Sequence, residues 1–356
     1  MAIDDPIAAA EALIAGGRAH DAARDLRARL AEGRGGALMR IALVKALIAS
    51  GDIEGALAEA REAVSLCPDV PGVLVALGEA LLAAENLPAA IAELQRALRL
   101  DPGHARARFL TGRAWAEAGE ADRALEILRT LDPDETPGLG EWIARAEAMK
   151  RAARADPGYV RHLFDQFSAD YDTRMREALL YTAPEILRDL ADLVTPGRAG
   201  LRVLDLGCGT GLAGEVFRPR AARLDGIDLS PAMVAKARAR GIYDQLAVGD
   251  IETMPAGGPY DLVLAADTLV YLGDLAPVFG AVRARLADGG WFLFTVEAKT
   301  GGGFELGPKR RWRHSEAYLR AAAQNAALQV MGLVSATPRH EAGAPVAGFA
   351  VALTRA

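Results

Sequence analysis

The chain has 356 residues, more than one ordinary compact domain holds and within the range for two, and its 51% hydrophobic and 25% charged content is that of a chain able to bury a core. A formal net charge of −6 supplies no basic field for nucleic acid. The two cysteines, Cys67 and Cys208, fall in segments of different character, which excludes a disulfide framework and a multi-cysteine metal site, so no metal is expected.

The opening segment, MAIDDPIAAAEALIAGG, carries two aspartates where a signal peptide needs positive charge, and no stretch approaches 18 uninterrupted apolar residues. The expectation is a soluble, cytoplasmic protein with neither membrane nor nucleic acid as a partner. The first 150 residues repeat. Ala22, Ala56, Ala90 and Ala124 are spaced by 34, as are Ala12, Ala46, Ala80 and Ala114; a third column holds Leu13, Leu47, Leu81 and Trp115, and a turn column holds Gly17, Gly51, Glu85 and Gly119. Each unit reads as helix, polar turn, helix, and the alanines allow two antiparallel helices to approach closely. The period and the small and large columns resemble the tetratricopeptide repeat (TPR) across residues 10 to 133. Such a stack offers a concave surface for a peptide, a carrier protein or a second protomer, and Arg40, Lys45, Arg106, Arg108 and Arg113 are placed either along it or on an ordinary solvated face.

DPDETPG breaks the pattern, EWIARAEAMKRAARA predicts one more amphipathic helix, and the boundary falls near residue 155, giving domains 1–150 and 155–356. From Leu201 the pattern becomes α/β. LRVLDL, ARLDGID, QLAVGD, YDLVLAAD, GWFLFTVEA, LQVMGLVSA and VAGFAVALTRA predict seven strands, with helices at Leu212 to Phe217, Pro231 to Arg240, Leu275 to Leu286 and Ser315 to Asn325. The fold expected is an α-helical solenoid followed by a Rossmann-like, doubly wound domain with a mostly parallel seven-stranded sheet, its ligand at the carboxyl ends of the strands.

The first strand runs into the turn Gly207, Cys208, Gly209, Gly211 and then a helix, the geometry in which backbone approaches a ligand with no side chain between. Gly209, Gly211 and Gly214 also satisfy the G-x-G-x-x-G pattern, so a nicotinamide or flavin enzyme is an alternative. Asp205, ahead of the glycines, suits a cationic amine better than a pyrophosphate. Asp228 ends the second strand where a carboxylate accepts from two ribose hydroxyls, and Asp250 with Ile251 ends the third, an acid and an apolar residue suited to an adenine. Asp267 and Tyr271 follow the fourth.

This ensemble resembles the class I S-adenosylmethionine-dependent methyltransferases across roughly residues 158 to 356. The resemblance implies S-adenosylmethionine as cofactor, with Asp205 and the glycine turn holding its methionine portion, Asp228 its ribose, Met233, Asp250 and Ile251 its adenine, Leu229 as a further cofactor-binding residue, and Asp267 at the mouth. RHLFDQFSADYD resembles the helix that folds over the cofactor in several of these families, with Phe164, Phe167 and Tyr171 as contacts. With the repeats, the chain resembles bacterial TPR-containing methyltransferases, a group without a common substrate. The favoured expectation is an active methyltransferase on a small-molecule or carrier-bound acceptor, with the repeats for docking or dimerisation. A protein methyltransferase with a repeat-recruited polypeptide and a non-enzymatic scaffold remain as alternatives.

Methyl transfer from a sulfonium needs alignment more than a base. His314, His162 and Tyr171 are the candidate catalytic residues. KTGGGFELGPKRRWRH, residues 299 to 314, reads as a mobile lid in which Lys309, Arg310, Arg311 and Arg313 recruit a carboxylate or phosphate.

Overall fold

A computed structural model describes residues 5–168, 170–255, 257–307 and 309–355, and divides the chain into two compact units, Met1–Arg151 and Ala152–Ala356. No helix among the described residues is long and apolar enough to cross a membrane.

The first unit is all helical: α1 Pro6–Ala15, α2 Ala19–Ala31, α3 Ala37–Ser50, α4 Ile53–Leu66, α5 Pro71–Ala83, α6 Leu87–Leu100, α7 Ala105–Glu117, α8 Ala121–Leu128 and α9 Leu139–Arg151. Side-chain caps start the second helix in two of the pairs, with Asp52 accepting from the Gly55 amide at 2.9 Å and Asn86 from the Ala89 amide at 3.3 Å. Ala22, Ala56, Ala90 and Ala124 are fully buried, as are Ala46, Ala80 and Ala114. Ala12 is exposed. The tightest helix approach lies two residues before the predicted column: a Cβ added at Gly78 would sit 2.7 Å from Leu94, and one at Gly112 would sit 2.6 Å from Leu128. The basic residues do not form an unpaired face. Arg40 pairs with Glu59, Lys45 with Glu11, Arg106 with Glu79 and Arg113 with Glu117, while Arg108 donates to the Pro102 carbonyl.

All four members of the turn column are left-handed, with φ of 75° at Gly17, 83° at Gly51, 56° at Glu85 and 75° at Gly119. Only Glu85 carries a side chain there, which costs an L-residue energy that glycine does not incur. Glu85→Gly is therefore expected to stabilise the repeat unit by about 0.5–1 kcal/mol, after the larger unfolded-state entropy of glycine is subtracted. A rise in the thermal unfolding midpoint checks it, and a fall would show that the Glu85 side chain contributes more than its backbone costs.

The second unit contains α10 Pro157–Phe167, α11 Tyr171–Thr173, a π-helical turn Arg174–Ala178, α12 Ala183–Val194, β1 Leu201–Leu206, α13 Leu212–Phe217, β2 Ala221–Asp228, α14 Pro231–Ala239, β3 Gln245–Val248, β4 Tyr260–Ala265, α15 Ala276–Arg283, β5 Leu286–Ala298, β6 Phe304–Leu306, β7 Trp312–His314, α16 Glu316–Asn325, β8 Leu328–Ala336, β9 His340–Glu341, β10 Ala344–Pro345 and β11 Gly348–Arg355. The main sheet runs β3-β2-β1-β4-β5-β11-β8, parallel from β3 to β5, with β11 antiparallel to both neighbours. All seven strands read from the sequence are present in it. Order reverses between β1 and β4, and that switch point opens a crevice at their carboxyl ends. Both faces are covered: Leu187, Leu190 and Phe217 pack on one, and Val278, Phe279, Val282 and Leu319 on the other. This is why β1 and β4 read as continuous apolar runs.

Two local expectations are corrected. The helix predicted over EWIARAEAMKRAARA ends at Arg151, because Asp156 caps α10 and Pro157 opens it, which leaves the residues between as extended connection. The segment 299–314 is no free lid. β6 and β7 pair antiparallel and β7 continues the sheet beside the end of β5, so the glycines at 301–303 serve as the turn into a fixed hairpin.

Candidate functional site

A cavity of about 470 Å³ opens at the switch point, within the range of about 300–1,000 Å³ usual for small-ligand sites. Its floor is the turn after β1. Gly207 and Gly209 line it in left-handed backbone, and the Thr268 side chain packs so closely that any Cβ at Gly207 would collide with it. At Gly209 the nearest atom to an added Cβ is Tyr171 Cε1 at 4.0 Å, so the backbone is open to a ligand there.

Asp228, at the end of β2, lines the cavity and fixes the turn: Oδ2 accepts from the Gly209 amide at 2.8 Å and Oδ1 from the Ser230 amide at 2.9 Å. Burial raises its pKa, and those two amides counteract the rise. Each oxygen retains a lone pair. Leu229, Asp250 and Ile251 continue the same wall. Asp250 is held by Arg154, whose Nη2 donates to Oδ2 at 2.9 Å while its other amino group pairs with Glu252. Arg154 itself lines the cavity from an extended segment bridged to Leu272. The ADPG signal that ends the preceding helix early is the only trace of this residue's position in the sequence.

α10 covers the cavity. Phe164 and Tyr171 line it with their rings edge-on, 6.1 Å apart, and Phe164 meets Tyr271 at 5.5 Å. Asp165 ties α10 to the start of α14 through the Ser230 hydroxyl and the Ala232 amide, the latter at 3.3 Å. Arg174 and Met175 of the π-helical turn add to the wall, a device frequent at functional sites.

Several candidate residues stand elsewhere. Asp205 is 1% exposed and lies outside the cavity wall; the Tyr243 hydroxyl donates to its Oδ2 at 2.7 Å, while Oδ1 is buried with no partner. Burial raises its pKa to about 7, against the Tyr243 hydrogen bond. Cys208 is buried behind the turn and its thiol pKa is raised by burial, so it is no nucleophile. Gly211 caps α13 and Met233 is wholly buried in α14; neither lines the cavity. His314, named as a catalytic candidate, is fully buried and outside the wall: in β7 its Nε2 meets the Gly273 carbonyl at 3.1 Å, its ring stacks on Tyr318, and burial pushes its pKa down to about 4. His162 pairs with Gln166 and also lies outside the wall. Tyr171 is in place, but burial and the neighbouring Tyr271 and Asp267 drive its pKa upward, which leaves the phenol a hydrogen-bond donor and not a base.

Asp267 lines the cavity in left-handed backbone, φ 56°, but does not stand free. The guanidinium of Arg339, itself 0% exposed, reaches Asp267 at 2.5 Å, Glu297, and Glu341 at 3.1 Å. Glu341 also takes Lys309 at 2.5 Å and Arg311, and the positive charge of Arg311 acts on Tyr271 against the upward push of burial on its pKa. Among the described residues no group of acids, histidines and cysteines is arranged to hold a metal.

The switch-point cavity, the glycine turn and the two strand-end acids define an α/β domain built to bind a nucleoside. A family model described as "Methyltransferase domain" matches residues 171–337, and one described as "Tetratricopeptide repeat" matches residues 75–139. Trans-aconitate 2-methyltransferase of Streptomyces avermitilis is 32% identical over 203 residues, 50% of this chain and 68% of that protein. Human Methyltransferase-like protein 27 is 34% identical over 137 residues, 36% of this chain; the chain thus spans only 56% of that relative's length. A solved N1-methyltransferase of 1,6-didemethyltoxoflavin from Burkholderia thailandensis aligns over 56% of this chain and 91% of its own at 18% identity, TM-score 0.45. The chain belongs to the methyltransferase family.

Proposed function

We propose that the protein is an S-adenosylmethionine-dependent methyltransferase acting on a small-molecule or carrier-bound acceptor, with the helical repeats as a docking or dimerisation surface. The observation that carries the reading is the single cavity that gathers Gly207, Gly209, Asp228, Asp250 and Ile251 at the ends of three adjacent strands. These residues fit the cofactor. The spare lone pairs of Asp228 suit two ribose hydroxyls, Asp250 and Ile251 suit an adenine, and Asp205, sealed beneath the turn and outside the wall, contributes its charge to the site without lining it. When bound, S-adenosylmethionine supplies an electrophilic methyl on sulfur. The chain's own residues align, exclude water by α10 and its aromatic rings, and hold the turn through Asp228 and Thr268.

Titration calorimetry tests this with S-adenosylhomocysteine and NAD on the intact chain. Binding of the first and not of the second supports the reading, and Asp228→Ala is expected to weaken it by about 30-fold, the loss of two charge-assisted hydrogen bonds. No binding of S-adenosylhomocysteine to folded protein would sink the proposal.

A further inference from the structure

Beyond the strand-end acids and the glycine turn, the cavity wall has a chemistry of its own. Leu163, Phe167, Met175 and Leu179 make it apolar, and its polar wall carries Arg174, Lys309, Arg311 and Glu341. Resting on the methyltransferase reading, we propose that the acceptor is a carboxylic acid with an apolar body, bound as its carboxylate against Arg174 and Arg311 and methylated on a carboxyl oxygen without a general base.

Charge supports the first half of this. In this part of the wall Arg174, Lys309 and Arg311 stand against Asp267 and Glu341, while Arg339 behind them is matched by Glu297. Arg174 has no carboxylate partner among the described residues; its guanidinium lies 4.5 Å over the Phe167 ring, in the cavity wall. The acceptor side therefore carries an excess of positive charge. Arg311 gives Glu341 part of a set of five N–H donors, which leaves donors for a planar anion. An amine would enter such a wall as an ammonium against like charge.

The lack of a proton acceptor supports the second half. Asp267 is occupied by Arg339 at 2.5 Å, and each oxygen of Asp228 holds a backbone amide and has its remaining lone pair committed to the ribose. Glu341 is gripped by three cations, which keep its carboxyl below the usual range although burial works the other way. Burial raises the pKa of Tyr171, Tyr181 and Tyr271, and His314 is outside the wall. A phenol or alcohol would have to lose its proton to one of these groups. A carboxylate has none to lose: its oxygen forms the O–CH₃ bond as the S–CH₃ bond of the sulfonium donor breaks, the bonding pair stays on sulfur, and the product is a neutral methyl ester.

The test titrates octanoate, octanamide, octylamine and octyl phosphate into the full chain saturated with S-adenosylhomocysteine, followed by calorimetry. Octanoate is expected to bind at least tenfold tighter than the other three, and Arg174→Gln to lower its affinity about tenfold while octanamide is unaffected. Arg174 is chosen because its replacement strands no carboxylate. Octanamide or octylamine binding as well as octanoate, tighter binding of octyl phosphate, or binding of none of the four would each overturn the proposal. Failure of S-adenosylhomocysteine to bind in the first step would instead overturn the methyltransferase reading beneath it.

Discussion

Arg339→Met is expected to destabilise the second unit by about 3–5 kcal/mol, the usual cost of removing one partner from a buried charge network. The guanidinium is completely enclosed, and its nitrogens serve Asp267, Glu297 and Glu341, which come from the end of β4, from β5 and from β9. Glu297 is buried and Asp267 stands half-buried in the cavity wall, so the variant leaves two poorly solvated carboxylates with their principal cation gone. The loss should depend on pH. Burial already raises the Asp267 pKa in the presence of Arg339, and without it the folded state holds a proton that the unfolded chain releases, so raising the pH from 5 to 8 widens the deficit. Arg339→Lys keeps the charge but not the three-way fork, and should fall between wild type and Arg339→Met. Denaturant unfolding at the two pH values measures all of this. An unchanged midpoint for Arg339→Met would mean that water reaches the network and that the acceptor wall is softer than its geometry states.

How much of this was legible in the sequence differs by the range of the interaction involved. The strands and the glycine turn were readable because they depend on local pattern: alternation of apolar runs with helical periods, and glycines at positions of positive φ such as Gly207. The repeat columns were readable for the same reason, with Ala12 as the exception because it sits on α1, where no preceding unit covers it. Arg339 was not readable. Its burial depends on carboxylates at positions 267, 297 and 341, and an arginine in a sequence carries a strong prior of exposure. The hairpin β6–β7 was missed because strands of three residues show no period, and its four basic residues look like a solvated loop. That miss moved His314 into the wrong role: pairing beside Ala298 turns the imidazole into the protein interior, against Phe304 and Tyr318. Met233 failed for a simpler reason. It follows the ribose-side acid in sequence, but α14 turns it away, and Leu229 takes the place on the cavity wall.

Asp205→Asn is expected to stabilise the protein while weakening its hold on S-adenosylhomocysteine. The carboxylate is 1% exposed with one oxygen unpaired, and its pKa is raised from the ordinary 3.8 to about 7. Between those values the unfolded chain has released a proton that the folded state keeps, so each step upward in pH favours unfolding, and above pH 7 the full penalty, on the order of 4 kcal/mol, is present. Asparagine removes the charge and still accepts from Tyr243, but leaves an amide N–H₂ where Oδ1 had no partner, which costs about 1–3 kcal/mol. The net gain should be about 1–3 kcal/mol at pH 8 and should reverse to a loss of up to about 2 kcal/mol near pH 4, where the folded wild-type carboxyl is protonated and little of the charge penalty is left to relieve. Thermal unfolding of both proteins across pH 4 to 8 tests the stability claim; a wild-type curve flat over that window would show the Asp205 charge to be compensated. Weaker S-adenosylhomocysteine binding by the more stable variant would identify the buried charge as a group kept for the ligand at the expense of the fold. Equal binding would leave Asp205 with the task of positioning Tyr243, whose ring packs against Gly214 and Gly226 behind the turn.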